Sequence, residues 1–165
     1  MKQAIAGVSP PSVSETTIMT VWPSLAATGI GRGLGRLYGI SIGIGWLTLG
    51  KLIVLLSIPV VLPLFFLMLL PFSSRRYRLT NRRVIIERGV AGRPERWVEL
   101  DRFDAIDVVV LPGQAWYPAG DLVFRNGQVE TFRLSGVMRP ETFKQTCLKA
   151  RNGFVGVRQA IGAAR

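Results

Sequence analysis

The hydrophobic pattern changes character along the chain. Residues 37–50 carry no charge, Lys51 interrupts, and residues 52–74 carry none either. From Leu52 to Leu70 only Ser57 has a polar side chain. A helix rises ~1.5 Å per residue and the bilayer hydrocarbon is ~30 Å thick, so about 20 residues cross it. The second stretch meets that length alone. The first meets it by borrowing residues before Arg36, whose stem can run along apolar surface. The pattern predicts a two-helix transmembrane hairpin, with spans over 30–49 and 52–72 and a tight turn at Gly50-Lys51. The first segment has a short interfacial or re-entrant piece as its alternative, and the second a buried core helix. Pro59 and Pro63 would break a helix in water but are tolerated as kinks in lipid. Gly31, Gly35, Gly39 and Gly43 recur every four residues, a small-residue stripe for helix packing against the second span or a second copy.

After Arg75 the apolar residues come in short bursts between turns. Candidate strands are Arg76–Thr80, Arg82–Arg88, Glu95–Leu100, Ala105–Leu111, Asp121–Arg125 and Val129–Leu134, each rich in β-branched or aromatic side chains. Trp116-Tyr117 is a candidate seventh. Asn126-Gly127 is a strong hairpin signal. Consecutive hairpins predict an antiparallel sandwich or partly open barrel. The period then switches. Pro140 and Glu141 suit a first helical turn, and Phe143, Cys147, Ala150 and Phe154 share one helical face. Gly153 or Gly156 is expected to end that helix. The domain reading is a mobile tail over 1–23, the hairpin over 24–74, the β-rich domain over 75–152 and an extension over 153–165. Trp22 suits a membrane interface, and Ser24 an N-cap.

Antiparallel strands closed by one C-terminal helix are the plan of a pleckstrin-homology-like (PH-like) domain. The run Tyr77-Arg78-Leu79-Thr80-Asn81-Arg82-Arg83-Val84 to Gly89 resembles the opening motif of bacterial PH-domain membrane proteins. Leu100-Asp101-Arg102-Phe103 to Val108 and Arg139-Pro140-Glu141-Thr142-Phe143 are similar to its later segments. The resemblance implies a membrane-anchored α+β fold, with a transmembrane hairpin directly before a small PH-like barrel and a C-terminal capping helix. It implies little chemistry.

Charge sharpens the picture. The 165 residues hold 21 Lys and Arg against 10 Asp and Glu, a net +11. There is no histidine and one cysteine, Cys147, which excludes histidine triads, cysteine zinc clusters and an intrachain disulfide. Cys147 reads as a small core residue. Glu99, Asp101, Asp104 and Asp107 are interleaved with Arg96 and Arg102, so they read as ion-paired surface. No catalytic, metal or cofactor residue is expected, and the chain reads as a non-enzyme. Arg75, Arg76, Arg78, Arg82 and Arg83 cluster with no acid among residues 75–83. They are candidate contacts to lipid headgroups, each cation near an anionic leaflet contributing ~1 kcal/mol, and they also set topology. The positive-inside rule then makes both ends, and so the C-terminal domain, cytoplasmic, and the resemblance to bacterial proteins implies a multi-pass protein of the bacterial inner membrane. The expected partners are anionic lipids and a protein partner or second copy, and not nucleic acid. The expected role is a binding or assembly module. A homo-oligomerisation module, or a non-catalytic subunit of a membrane complex, is the alternative.

Overall fold

The computed structural model describes residues 15–44, 47–69, 74–89 and 91–163. Its β-rich part is two facing antiparallel sheets. The first holds β1 (Thr17–Val21), β4 (Arg75–Thr80), β5 (Arg83–Arg88) and β6 (Arg93–Glu99), in that spatial order. The second holds β7 (Ala105–Val109), β8 (Ala119–Asn126) and β9 (Val129–Met138). Six of these strands are the six expected from the alternating pattern, with ends moved by a few residues. Trp116-Tyr117, the expected seventh, lies in a turn instead.

Alternation decides which face is inside. Tyr77 and Leu79 of β4, Val84 of β5 and Val98 of β6 point into the space between the sheets. Ile106, Leu122, Phe124, Phe132 and Leu134 meet them from the other side. Phe124 packs edge-on against Phe103 and Phe132, with ring centroids 4.9 and 5.7 Å apart. Each such side chain contributes about 1.5–3 kcal/mol when fully buried. Tyr77 also ties the sheets together, its hydroxyl donating to the Ser135 carbonyl at 2.8 Å.

Helix α3 (Pro140–Ala163) covers the sandwich with Phe143 and Cys147, both buried, and with Leu148, Ala150 and Phe154 packed against the core. It does not stop at Gly153 or Gly156. The last turns are held by a contact between Arg158 and Asp101 and by the Arg158 guanidinium lying 5.6 Å from the centroid of the Phe154 ring. The Asn126-Gly127 turn forms as expected. Gly127 has φ +60, a conformation natural for glycine, and its N–H donates to Asp104.

The N-terminal third departs from expectation. Residues 1–14 of the expected tail lie outside the described residues. Thr17–Val21 are the edge strand β1, in register with β4 through Met19↔Leu79 and Val21↔Tyr77. Leu25–Ala27 form a short 3-10 turn capped by Ser24, and Gly29–Tyr38 form α1 capped by Thr28. Two-residue strands β2 (Gly43–Ile44) and β3 (Leu47–Thr48) pair with each other, and α2 runs from Leu49 to Leu69.

The expected transmembrane hairpin over 24–74 is therefore corrected. At ~1.5 Å per residue, α1 reaches only about half the depth of a bilayer, and β2 and β3 break the chain where the first span was expected to continue. In α2, Lys51 is exposed in the first turn. Residues 70–72 of the second expected span lie outside the described residues. Among the described residues no helix is long and apolar enough to cross a membrane. The multi-pass inner-membrane placement, with its cytoplasmic C-terminal domain, rested on that hairpin and falls with it.

Candidate functional site

The arginines expected at headgroups sit on β4 and at the start of β5, where alternation turns Arg76, Arg78 and Arg83 away from the core. They are tied to acids. Arg76 Nε donates to Glu87 Oε2 at 2.5 Å, and Arg78 Nη2 lies 2.7 Å from Oε1 of the same residue. Glu87 is buried, so one carboxylate is clasped by two guanidinium groups. Gly92, at φ +64, makes this possible, because a Cβ there would strike the Arg76 guanidinium. Arg83 holds Glu15 by a bidentate pair of 2.8 and 2.7 Å and lies over Trp97 at 5.5 Å. This pairing lowers the Glu15 carboxyl below its ordinary range, the Arg83 hydrogen bond being the largest cause. Arg75 meets Glu95 at 3.2 Å, and Arg82 is exposed. The five arginines are thus divided, with Arg75, Arg76, Arg78 and Arg83 engaged by three separate carboxylates, Glu95, Glu87 and Glu15, that lie outside residues 75–83.

The Thr80-Asn81 turn explains the opening motif locally. Thr80 Oγ1 accepts from the Arg83 N–H at 3.0 Å. Asn81 accepts from the Thr16 N–H and returns its own N–H to the Thr16 carbonyl, so the turn also fixes β1.

The glycine stripe divides. Gly31 abuts the Leu25 carbonyl, and Gly35 abuts the Gly113 carbonyl and the Tyr117 ring. Both serve close approach to this chain's own loops. Gly39 ends α1, its N–H bonded to the Gly35 carbonyl, and Gly43 is exposed in β2. Gly50 takes the close contact between the helices, with the Tyr38 carbonyl where its Cβ would stand. The four glycines therefore do not present one surface to another helix.

Three further features bear on the site, the first two without a signal in the local sequence pattern and the third foreshadowed by the apolar stretch after Lys51. Gln114 and Asp121 are buried partners, Nε2 to Oδ1 at 2.6 Å. Gln114 also reaches the Ala26 carbonyl, and Asp121 accepts from the Gly136 N–H at 3.0 Å, so this pair fastens the 3-10 turn to the second sheet. The second feature is a groove of about 260 Å³ between α2 and the domain, lined by Leu25, Tyr38, Val54, Val61, Trp116 and Tyr117. At its wall Tyr38 and Ser57 share a hydrogen bond of 2.6 Å, and Tyr38 packs on Trp116. Burial pushes the Tyr117 phenol above its ordinary pKa. The third is the exposed surface of α2 itself, including Leu55, Leu56, Val60, Leu62, Phe65 and Phe66. Among the described residues no group of three metal-ligating side chains is close enough to hold an ion.

No curated protein and no solved structure matches the chain. The family described as Bacterial PH domain matches residues 26–151, from the 3-10 turn to the middle of α3. That match takes in well over half of the chain and nearly all of both sheets, so the chain belongs to the bacterial PH domain family.

Proposed function

We propose that this chain is a non-catalytic PH-type binding module that works at an anionic lipid surface, with α2 seated among acyl chains beside it. The exposed face of α2 carries the reading. At 100° per residue, Val54, Ser57, Val61 and Phe65 form the side turned to the domain, Leu62 borders it, and Leu55, Leu56, Val60 and Phe66 cover the rest. A helix apolar around its circumference belongs in a core or in lipid. Here one side has a core to meet and the others do not. A contiguous apolar surface of that size marks an interaction site. Exposed Trp22 and Trp116 suit the headgroup depth, where amphipathic rings concentrate. The basic balance of the domain favours an anionic surface.

Flotation of the full chain with vesicles tests this. The wild type is expected to float with lipid, and Leu56→Asp with Phe66→Asp to remain at the bottom. A wild-type chain that stays monodisperse without detergent and floats with no vesicle overturns the reading. The same exposed face favours a second reading, self-association through α2. A stable oligomer that forms without lipid and is dispersed by the same double substitution supports it.

A further inference from the structure

Three hydroxyl groups belong to the walls of the groove between α2 and the domain, and their hydrogens are spent unevenly. Ser57 Oγ donates to the Val54 carbonyl at 2.8 Å. A hydroxyl has one hydrogen, so in the 2.6 Å bond between Ser57 and Tyr38 the tyrosine is the donor and the serine the acceptor. Trp116 packs on Tyr38 and Tyr117 on Trp116, with ring centroids 4.8 and 4.9 Å apart, which brings Tyr117 to the same end of the groove. The Tyr117 hydroxyl is buried and has no hydrogen-bond partner among the described residues. A buried hydroxyl left in that state costs stability, and in a native fold it points to a partner. Of the three, Tyr117 alone keeps a hydrogen to give.

Shape and charge narrow the partner. The groove runs beside α2 from Val54 to Phe65, a rise of about 16 Å. Its volume of about 260 Å³ is below the ~300–1,000 Å³ of sites for drug-sized ligands, so over that length it is one chain wide. Apart from the three hydroxyls its described lining is aliphatic or aromatic and includes no charged side chain. An ionised carboxylate or phosphate there would lose water without gaining a counter-ion. A neutral carbonyl loses less and accepts the hydrogen of Tyr117. The groove is also continuous with the exposed apolar surface of α2, since Leu62 and Phe65 belong to both.

We infer that the groove holds one acyl chain of a bilayer phospholipid, its ester carbonyl accepting from Tyr117 Oη and its tail running along α2 toward Phe65. The inference rests on the lipid reading of α2, which supplies the chain, and adds to it a site that one lipid fills.

Trp116 stands on the groove wall and reports its contents. The full chain is bound to vesicles of diether phosphatidylglycerol and diether phosphatidylcholine, which lack ester carbonyls. The vesicles carry a trace of phosphatidylcholine with brominated chains, either diester or diether. Bromine quenches tryptophan on contact, and a Trp116→Phe protein gives the signal of the other tryptophans. Trp116 is expected to see the diester trace enriched about fivefold over the diether trace, the factor that one neutral hydrogen bond supplies. Tyr117→Phe should abolish that enrichment while still floating, and should melt no lower than wild type, since it removes an unpartnered hydroxyl. Val61→Phe fills the groove and should abolish the enrichment as well. Equal quenching by the two traces in wild type that floats overturns the site and leaves α2 insertion standing. Undiminished enrichment in Tyr117→Phe overturns the carbonyl contact, and undiminished enrichment in a folded Val61→Phe overturns the groove as its place. A brominated free fatty acid enriched above the diester lipid assigns the groove to fatty acid and overturns the phospholipid assignment. No flotation on any vesicle overturns the lipid reading itself.

Discussion

Gly35 of α1 and Gly113 of the turn between β7 and β8 meet backbone to backbone, with no room between them for a side chain. A Cβ at Gly35 would collide with the Gly113 carbonyl and crowd the Tyr117 ring. Gly33, two residues earlier on the same helix, has open space around its Cα. The two glycines should therefore respond with opposite signs. Gly35→Leu is expected to cost about 1–3 kcal/mol through overpacking. Gly33→Ala is expected to gain about 0.5–1 kcal/mol from helix propensity. Urea unfolding of both variants checks this, and a Gly35→Leu protein as stable as wild type would place α1 away from the domain.

The carboxylates that hold β4 differ in depth, and depth decides what each is worth. Glu87 is buried between Arg76 and Arg78, and Glu95 faces Arg75 at the surface. Removing one member of a buried pair leaves charge without compensation, at about 3–5 kcal/mol when both partners are enclosed. Arg76 and Arg78 keep part of their surface in water, so Glu87→Gln is expected to cost about 2 kcal/mol. Glu95→Gln is expected to cost less than about 1 kcal/mol and to lose even that at high salt. The denaturation midpoints of the two variants, compared at low and high ionic strength, measure the difference.

The strands from β4 onward were legible because each buries one face and therefore alternates, and because Asn126-Gly127 and Pro140 mark the places where the period changes. β1 was not. Its Met19 and Val21 alternate inward, but they follow a serine- and threonine-rich stretch, and only Leu79 and Tyr77 opposite them show that they are paired. The glycines of α1 carried the right spacing for a close approach, and the surface they approach comes from residues near 25 and 113. Ion pairs were the least legible feature. Arg83 and Glu15 are 68 positions apart, and no local pattern connects them. Read without partners, the arginines of 75–83 look like one free cationic patch. The fold instead spends most of them on Glu15, Glu87 and Glu95.

The Glu15–Arg83 pair gives stability a pH dependence with a definite sign. Its folded carboxyl titrates below the ordinary value of 4.5, chiefly through the Arg83 hydrogen bond, with Thr80 also bonded to it. A depressed carboxyl contributes stability that is fully present above the unfolded value and is lost as pH falls through the folded one. Thermal stability is therefore expected to decline below about pH 4.5, and Glu15→Gln to flatten part of that decline while leaving the neutral-pH fold intact. A pH series of melting temperatures for both proteins tests it. Identical acid limbs would show that Glu15 does not hold β1 to the β4–β5 turn.

Cys147 offers a direct readout of the core. It is fully enclosed beneath α3, in the same cluster as Phe143, and burial pushes its thiol up to about 12. The thiolate is the reactive form, so a folded molecule near pH 8 offers a thiol reagent neither access nor nucleophile. Labelling should then proceed only through opened molecules, at a rate proportional to their population. Phe143→Ala removes a buried ring from the same helical face, at about 3–5 kcal/mol. That loss raises the opened fraction by a hundredfold or more, and Cys147 labelling should accelerate by the same factor while the rate in denaturant stays unchanged. Native wild-type protein that labels as fast as denatured protein would remove Cys147 from the core and α3 from the sandwich.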